Sequence, residues 1–376
     1  MLGVLAACVV VSTVPRLWCG RDAGAFLRGD VGVQRALAEE LVAFEARDDR
    51  ARTPGGAPGD RFAGEWALVT HQMTALGLAE VCLAHPELLP RYGPVTARAA
   101  EKSFLPEMRE FGTRAWGGED AVAGVAGGHG HAYLAYAALA VGMARSLGVR
   151  LSPAVTAQHD ALIAAYERRL LASATGLIET YPGEAYPTDV AAVAAAIAVH
   201  GRARVTGVDH RRVLAHWAER VAAVQIDAAS GLVIQRMGAR DGKAHDAPRG
   251  SGTALAAYFA GFADRAVADR LAAGVLRHES TWLGFGAIRE YAEGHSGSGD
   301  IDSGPVLLGV SVSATGFALA PARATGDEVA FTRLFRTTEL FGMRAGGEER
   351  ARFTTGGPIG NALLLAVLAS GPERAP

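Results

Sequence analysis

Cysteine is scarce in this chain of 376 residues, which has only Cys8, Cys19 and Cys82. Two of these lie in the N-terminal segment, which excludes a disulfide framework. No Cys/His cluster has metal-ligand spacing, so no metal and no cofactor is expected. Excess basic charge is also missing. Against 37 Lys and Arg stand 39 Asp and Glu, a net charge of -2, and nucleic acid is not an expected partner. β-branched runs are few, whereas Ala, Gly and Leu dominate and favour helices. With 49% apolar and 20% charged residues the composition is globular.

Met1 to Trp18 has no charge apart from Arg16. The segment is short for a membrane span and contains Pro15. It also lacks the basic start of a signal peptide. Leu5-Ala6-Ala7-Cys8 looks like a lipoprotein cleavage box but lies too close to Met1, and a start site assigned too late would account for these defects. Residues 1–20 read as a membrane anchor, with a signal peptide as the alternative, ahead of one domain over residues 21–376. Attachment through this segment implies the cell envelope. Arg16, Arg21 and Arg28 favour a cytoplasmic body, without fixing the side.

Helical periodicity then recurs twelve times. The spacing predicts helices at Val31–Arg47, Ala63–Ala84, Arg91–Phe111, His129–Leu147, Pro153–Ala172 and Asp189–Val199. Asp209–Gln225, Thr253–Phe262, Arg265–Glu279, Val306–Ala320, Glu328–Phe341 and Asn361–Ala369 follow. Amphipathic or mixed helices alternate with helices apolar all round. The first kind buries one stripe and the second is buried on every side. That pattern predicts an all-α (α/α)6 toroid, with six inner and six outer helices. Short β-hairpins are expected between outer and inner helices, as where Ala174-Thr175-Gly176-Leu177-Ile178 is echoed by Ala229-Ser230-Gly231-Leu232-Val233. A polytopic membrane protein is disfavoured, because most of the buried runs are too short to span.

All inner helices of such a ring start at one mouth, where the long loops also lie. Those loops bring Glu65 and Trp66, then His129, His131 and Tyr133, then Tyr181, Glu184, Tyr186 and Asp189. They next bring Arg249, then Asp300 and Asp302 in Gly299-Asp300-Ile301-Asp302-Ser303-Gly304-Pro305, and finally Asn361. Asp302 or Ser303 could cap a helix from Val306, and Thr188, Asp189 and Ser251 could be caps too. Arg249 could pair with Asp246 or Asp302. Glu184, flanked by aromatic rings and prolines, is the carboxylate expected to serve as a general acid, with Asp302 or Asp300 as its counterpart.

The alternation of helices, the Tyr181-Pro182-Gly183-Glu184-Ala185-Tyr186-Pro187-Thr188-Asp189 turn and the Asp300-Ile301-Asp302-Ser303-Gly304-Pro305 turn resemble bacterial toroid proteins related to linalool dehydratase/isomerase. The resemblance covers roughly residues 31–371. It implies an acid/base lyase or isomerase that removes water from a lipophilic alcohol in a central cavity. His129, His131 and Tyr186 fall at plausible positions, while the family's cysteine pair has no counterpart here. Three functions follow as expectations. One is that lyase, with Asp302 or Glu184 as acid, His129 or His131 as base, and Tyr181, Tyr186 and Arg249 positioning a small-molecule substrate. Another is an envelope glycan hydrolase or lyase using paired carboxylates. The last is a non-catalytic binding or scaffold protein.

Overall fold

The computed structural model describes residues 13–47, 61–202, 204–300 and 303–371. Asp302 lies outside the described residues, as does most of the N-terminal apolar segment.

Six inner helices form a ring. They are Arg61–Ala84, Leu134–Ser146, Pro187–His200, Gly250–Ala260, the broken pair Val312–Phe317 and Leu319–Ala324, and Gly357–Ala369. Each packs on the next, and the sixth closes on the first. The closure is tight: a Cβ on Gly77 would lie 2.9 Å from Leu365 Cγ and 3.0 Å from the Ala366 nitrogen. Small side chains allow this approach elsewhere too, and every residue of the third inner helix is buried. The outer helices are Val31–Ala46, Leu89–Ser103 followed by Pro106–Ala115, Pro153–Ala172, Arg211–Arg220, Arg265–Leu276 and Glu328–Gly342. The expected toroid is therefore the observed fold.

Several outer helices begin on side-chain caps: Asp30 accepts from Gly32 N at 2.9 Å, Asp264 from Val267 N at 2.9 Å and Asp327 from Ala330 N at 2.9 Å. The second, third, fourth and sixth inner helices have no such cap. Their first N–H groups bond to neighbouring loops instead, as Gly250 N does to Glu290 O at 2.7 Å and Asp189 N to Tyr186 O at 3.0 Å.

Four expected boundaries shift, each for a local reason. Arg91–Phe111 is two helices, because Pro106 forces Leu105 to extended backbone (ψ 143°). Asp209–Gln225 turns into a π-helical stretch at Val221–Gln225. Arg265–Glu279 stops at Leu276, and Glu279–Trp282 pairs antiparallel with Phe285–Ile288. Val306–Ala320 is not one helix. Val306–Leu307 pairs with Val310–Ser311, and the helix starts at Val312 under a Ser311 cap, whose hydroxyl accepts from Ala314 N at 3.0 Å. Both hairpins turn on Leu-Gly, with positive φ at Leu283 (50°), Gly284 (84°), Leu308 (52°) and Gly309 (83°). This geometry matches the right-handed twist of the flanking strands. A third hairpin, 344–353, precedes the sixth inner helix.

Candidate functional site at the mouth

The third loop is the best-built part of the mouth. Gly183 (φ 78°) lets the chain reverse, so that Thr180 N and Glu184 N bond across the turn to Glu184 O and Tyr181 O at 2.8 and 2.9 Å. Trp116 Nε1 donates to Thr180 O at 3.1 Å and holds the turn from the second loop. These contacts aim the Thr180 hydroxyl at Asp189, in the first turn of the third inner helix, where Oδ2 accepts it at 2.5 Å. Oδ1 accepts from Tyr136 OH at 2.8 Å. Burial pushes the Asp189 carboxyl up to about 6, although both hydroxyl donors favour its charged form.

Two further carboxylates join this group through phenols. Tyr181 OH donates to Glu65 Oε2 at 3.1 Å, across 116 residues of sequence, and its ring stacks on Tyr133 at 6.1 Å. Tyr186 OH donates to Glu184 Oε2 at 2.9 Å, and Arg236 lies 3.7 Å from the other oxygen. Glu184 stays partly exposed, while the carboxyl of Asp189 beside it is buried and pushed upward. Trp66, in the first turns of the first inner helix, is half-buried.

The histidines of the second loop divide. His129 is half-buried, stacks on Trp116 at 4.9 Å, and has Nδ1 2.7 Å from Glu119 Oε2. His131 is wholly buried between Trp116 and Tyr133, and its carbonyl accepts from Tyr166 OH at 2.7 Å. Burial pushes its ring down to about 4, so it is neutral near pH 7. The structure thus makes His131 a core residue and leaves His129 at the surface. Tyr133 is buried as well, its hydroxyl 3.4 Å from Arg109 O, and forms wall and not contact surface.

The fourth and fifth loops build a second acidic group. Arg249 bonds Asp300, pairs with Asp246 at 2.8 Å, and lies over the Tyr291 ring at 5.3 Å. Burial would raise the Asp300 carboxyl, but the Ser303 N–H and Arg249 outweigh it and hold the group below its usual range. Asp300, expected as a possible second carboxylate, is here an ion-pair and turn residue. Ser251 does not cap its helix. Its hydroxyl donates to Glu290 Oε1 at 2.7 Å, while its N–H donates to Oε2 at 3.2 Å. Glu290, which the sequence places at the mouth without a role, is fully buried and therefore pushed upward. Thr188 Oγ1 donates to Gly252 O at 3.0 Å and joins the two groups.

Asn361 is a clamp: its oxygen accepts from Phe353 N at 2.8 Å, and its amide donates to Phe353 O and Gly357 O, each at 2.9 Å. It also lines a cleft of about 320 Å³ with Glu40, Phe44 and Arg352, between the first outer and sixth inner helices.

At the opposite end of the ring the fold gathers a cluster that sequence spacing hid. Donor atoms of His159, Asp160 and His200 all lie within 4.8 Å of one another. Arg145 already occupies this group, bonding Asp160 and standing 2.8 Å from His159 Nδ1. From His200 the chain continues to His210 at 3.0 Å, and His210 Nδ1 lies 3.2 Å from Glu167.

No protein-family model matches the chain, and no curated protein matches it. Among solved structures it is similar to an unsaturated glucuronyl hydrolase variant with the saccharide dGlcA-Glc-Rha-Glc, with TM-score 0.54 and 14% identity over 91% of this chain and 95% of that one. It is also similar to an inactive variant of the alpha-1,6-mannanase GH76A of Salegentibacter sp. HEL1_6 in complex with alpha-1,6-mannotriose, with TM-score 0.50 and 13% identity over 90% of this chain and 99% of that one. Likeness at these identities concerns the fold.

Proposed function

We propose that the mouth is a glycan-processing site, a hydrolase or lyase working by carboxylate acid/base chemistry. The observation that carries this reading is Asp189, a buried carboxyl pushed up to about 6 and held on both oxygens. A group in that range still holds a proton in mildly acidic solution and can give it to a leaving oxygen. Glu184 and Glu65, tied to the same loops through Tyr186 and Tyr181, are the candidates for the second carboxylate. Half-buried Trp66, on the first inner helix, supplies an aromatic side chain of the kind that packs on sugar rings. The two toroids of similar fold, each with a saccharide named in its complex, support the same substrate class.

The same protonated carboxyl could dehydrate a lipophilic alcohol, as the linalool dehydratase resemblance implies. Its apolar surroundings in an Ala/Val-rich helix favour that second reading. A panel containing uronic-acid-capped oligosaccharides, alpha-linked mannans and terpenoid alcohols separates the two. On whichever substrate turns over, Asp189→Asn should lower kcat by roughly 100-fold or more with the fold intact. Turnover by this variant at the wild-type rate would end the assignment.

A further inference from the structure

Three described residues other than His131 and Gly have positive φ: Leu283, Leu308 and Met343. All are large, apolar and exposed, at 70%, 93% and 62%. A branched or bulky side chain is disfavoured in that conformation, and Asn or Gly would fit such turns more easily. Strain combined with exposed apolar surface needs a reason outside the folded chain.

The three residues sit on mouth-side loops of the fifth and sixth hairpins, and they have apolar company. Trp282 is 51% exposed and precedes Leu283, while Phe341 is 52% exposed and closes the sixth outer helix. The helical stretch 13–20 lies against this rim: a Cβ on Gly284 would be 2.5 Å from Arg16 Cδ, and Arg336 donates to Gly284 O at 2.9 Å. That stretch adds Leu17 and Trp18, 61% and 66% exposed. The 306–311 hairpin is bridged at Arg289–Val310, so its Leu308 turn lies at the other end of the Phe285–Ile288 strand and outside this group. Isolated exposed apolar residues need no explanation, but a cluster on one rim does.

We propose that this rim is a lipid-docking face, on which the folded domain itself rests against a bilayer. Two observations select lipid over a protein partner. The sequence that reaches the rim at residue 13, Met1 to Ser12, contains no charged side chain. Arg21 lies over the Trp18 ring at 4.3 Å, and Arg16 and Arg336 reach Gly284, two residues from Trp282, giving the aromatic and basic side chains of membrane interfaces. The docked domain would hold its fifth and sixth mouth loops at the membrane surface.

The test uses the full chain in phosphatidylcholine vesicles with or without bromine on the acyl chains. The emission of Trp282 is isolated as the difference between wild type and Trp282→Phe. Docking predicts that bromine lowers this difference roughly twofold or more, since interfacial side chains reach the acyl boundary. It also predicts that Leu283→Asp abolishes the fall while circular dichroism stays unchanged. Quenching of Trp18 alone would mean a tethered segment with a free domain, and would overturn the proposal. So would unquenched Trp282 in a chain that sediments as a dimer, because the rim would then be covered by a second copy.

Discussion

At the scale of single residues, the mouth is decided by which carboxyl lacks a cation. Asp300 has Arg249 and sits below its ordinary range, whereas Asp189 has only two hydroxyl donors and sits near 6. Those donors stabilise the charged form, so Tyr136→Phe should raise the Asp189 pKa. If the protonated acid is the working form, activity falls as pH rises through about 6, and Tyr136→Phe moves that fall to higher pH; a shift to lower pH would contradict the scheme. Buried histidines act on stability with the opposite sign. His131 and His159 titrate near 4 and 3 in the fold against 6.5 when unfolded, so the unfolded chain binds more protons in between. Their stabilising contribution is complete above 6.5 and lost as pH falls towards 4. His131→Phe should therefore narrow the difference in Tm between pH 7 and pH 5, measured by calorimetry.

Among elements, sequence showed the helices and expected hairpins in the outer-to-inner loops, but it did not show the hairpin at 306–311. Fourfold and threefold apolar spacing marks Pro153–Ala172 plainly, because one face of a long helix repeats. Val306–Ser311 carries no such mark. Its apolar run fits a strand pair as well as a helical turn, and only Leu308-Gly309 with positive φ distinguishes them. The same turn gives a stability test. Leu308→Asn should raise Tm by about a degree, since Asn adopts this conformation at lower cost. An unchanged or lower Tm would mean that Leu308 is not strained. The corrected start of the fifth inner helix also removes the expected role of the 299–305 turn as its cap, because Ser311 performs it.

Over the whole molecule, the ring explains why the alternation was legible and the site only partly so. Six hairpins of similar length impose a period on the sequence, whereas the site is made between hairpins. Tyr181 meets Glu65, Tyr136 meets Asp189, and Ser251 meets Glu290 only once inner helices lie side by side. Loop composition pointed to the mouth and named Asp189, but not the hydroxyl partners that meet it there. The central claim is that this assembly keeps one mouth carboxyl protonated in mildly acidic solution, up to about pH 6. Carbon-13 NMR of aspartate-labelled protein tests it most directly, with the signal assigned by its loss in Asp189→Asn. The predicted result is a carboxyl titrating near 6. A midpoint at the ordinary aspartate value of about 3.9 would contradict the account.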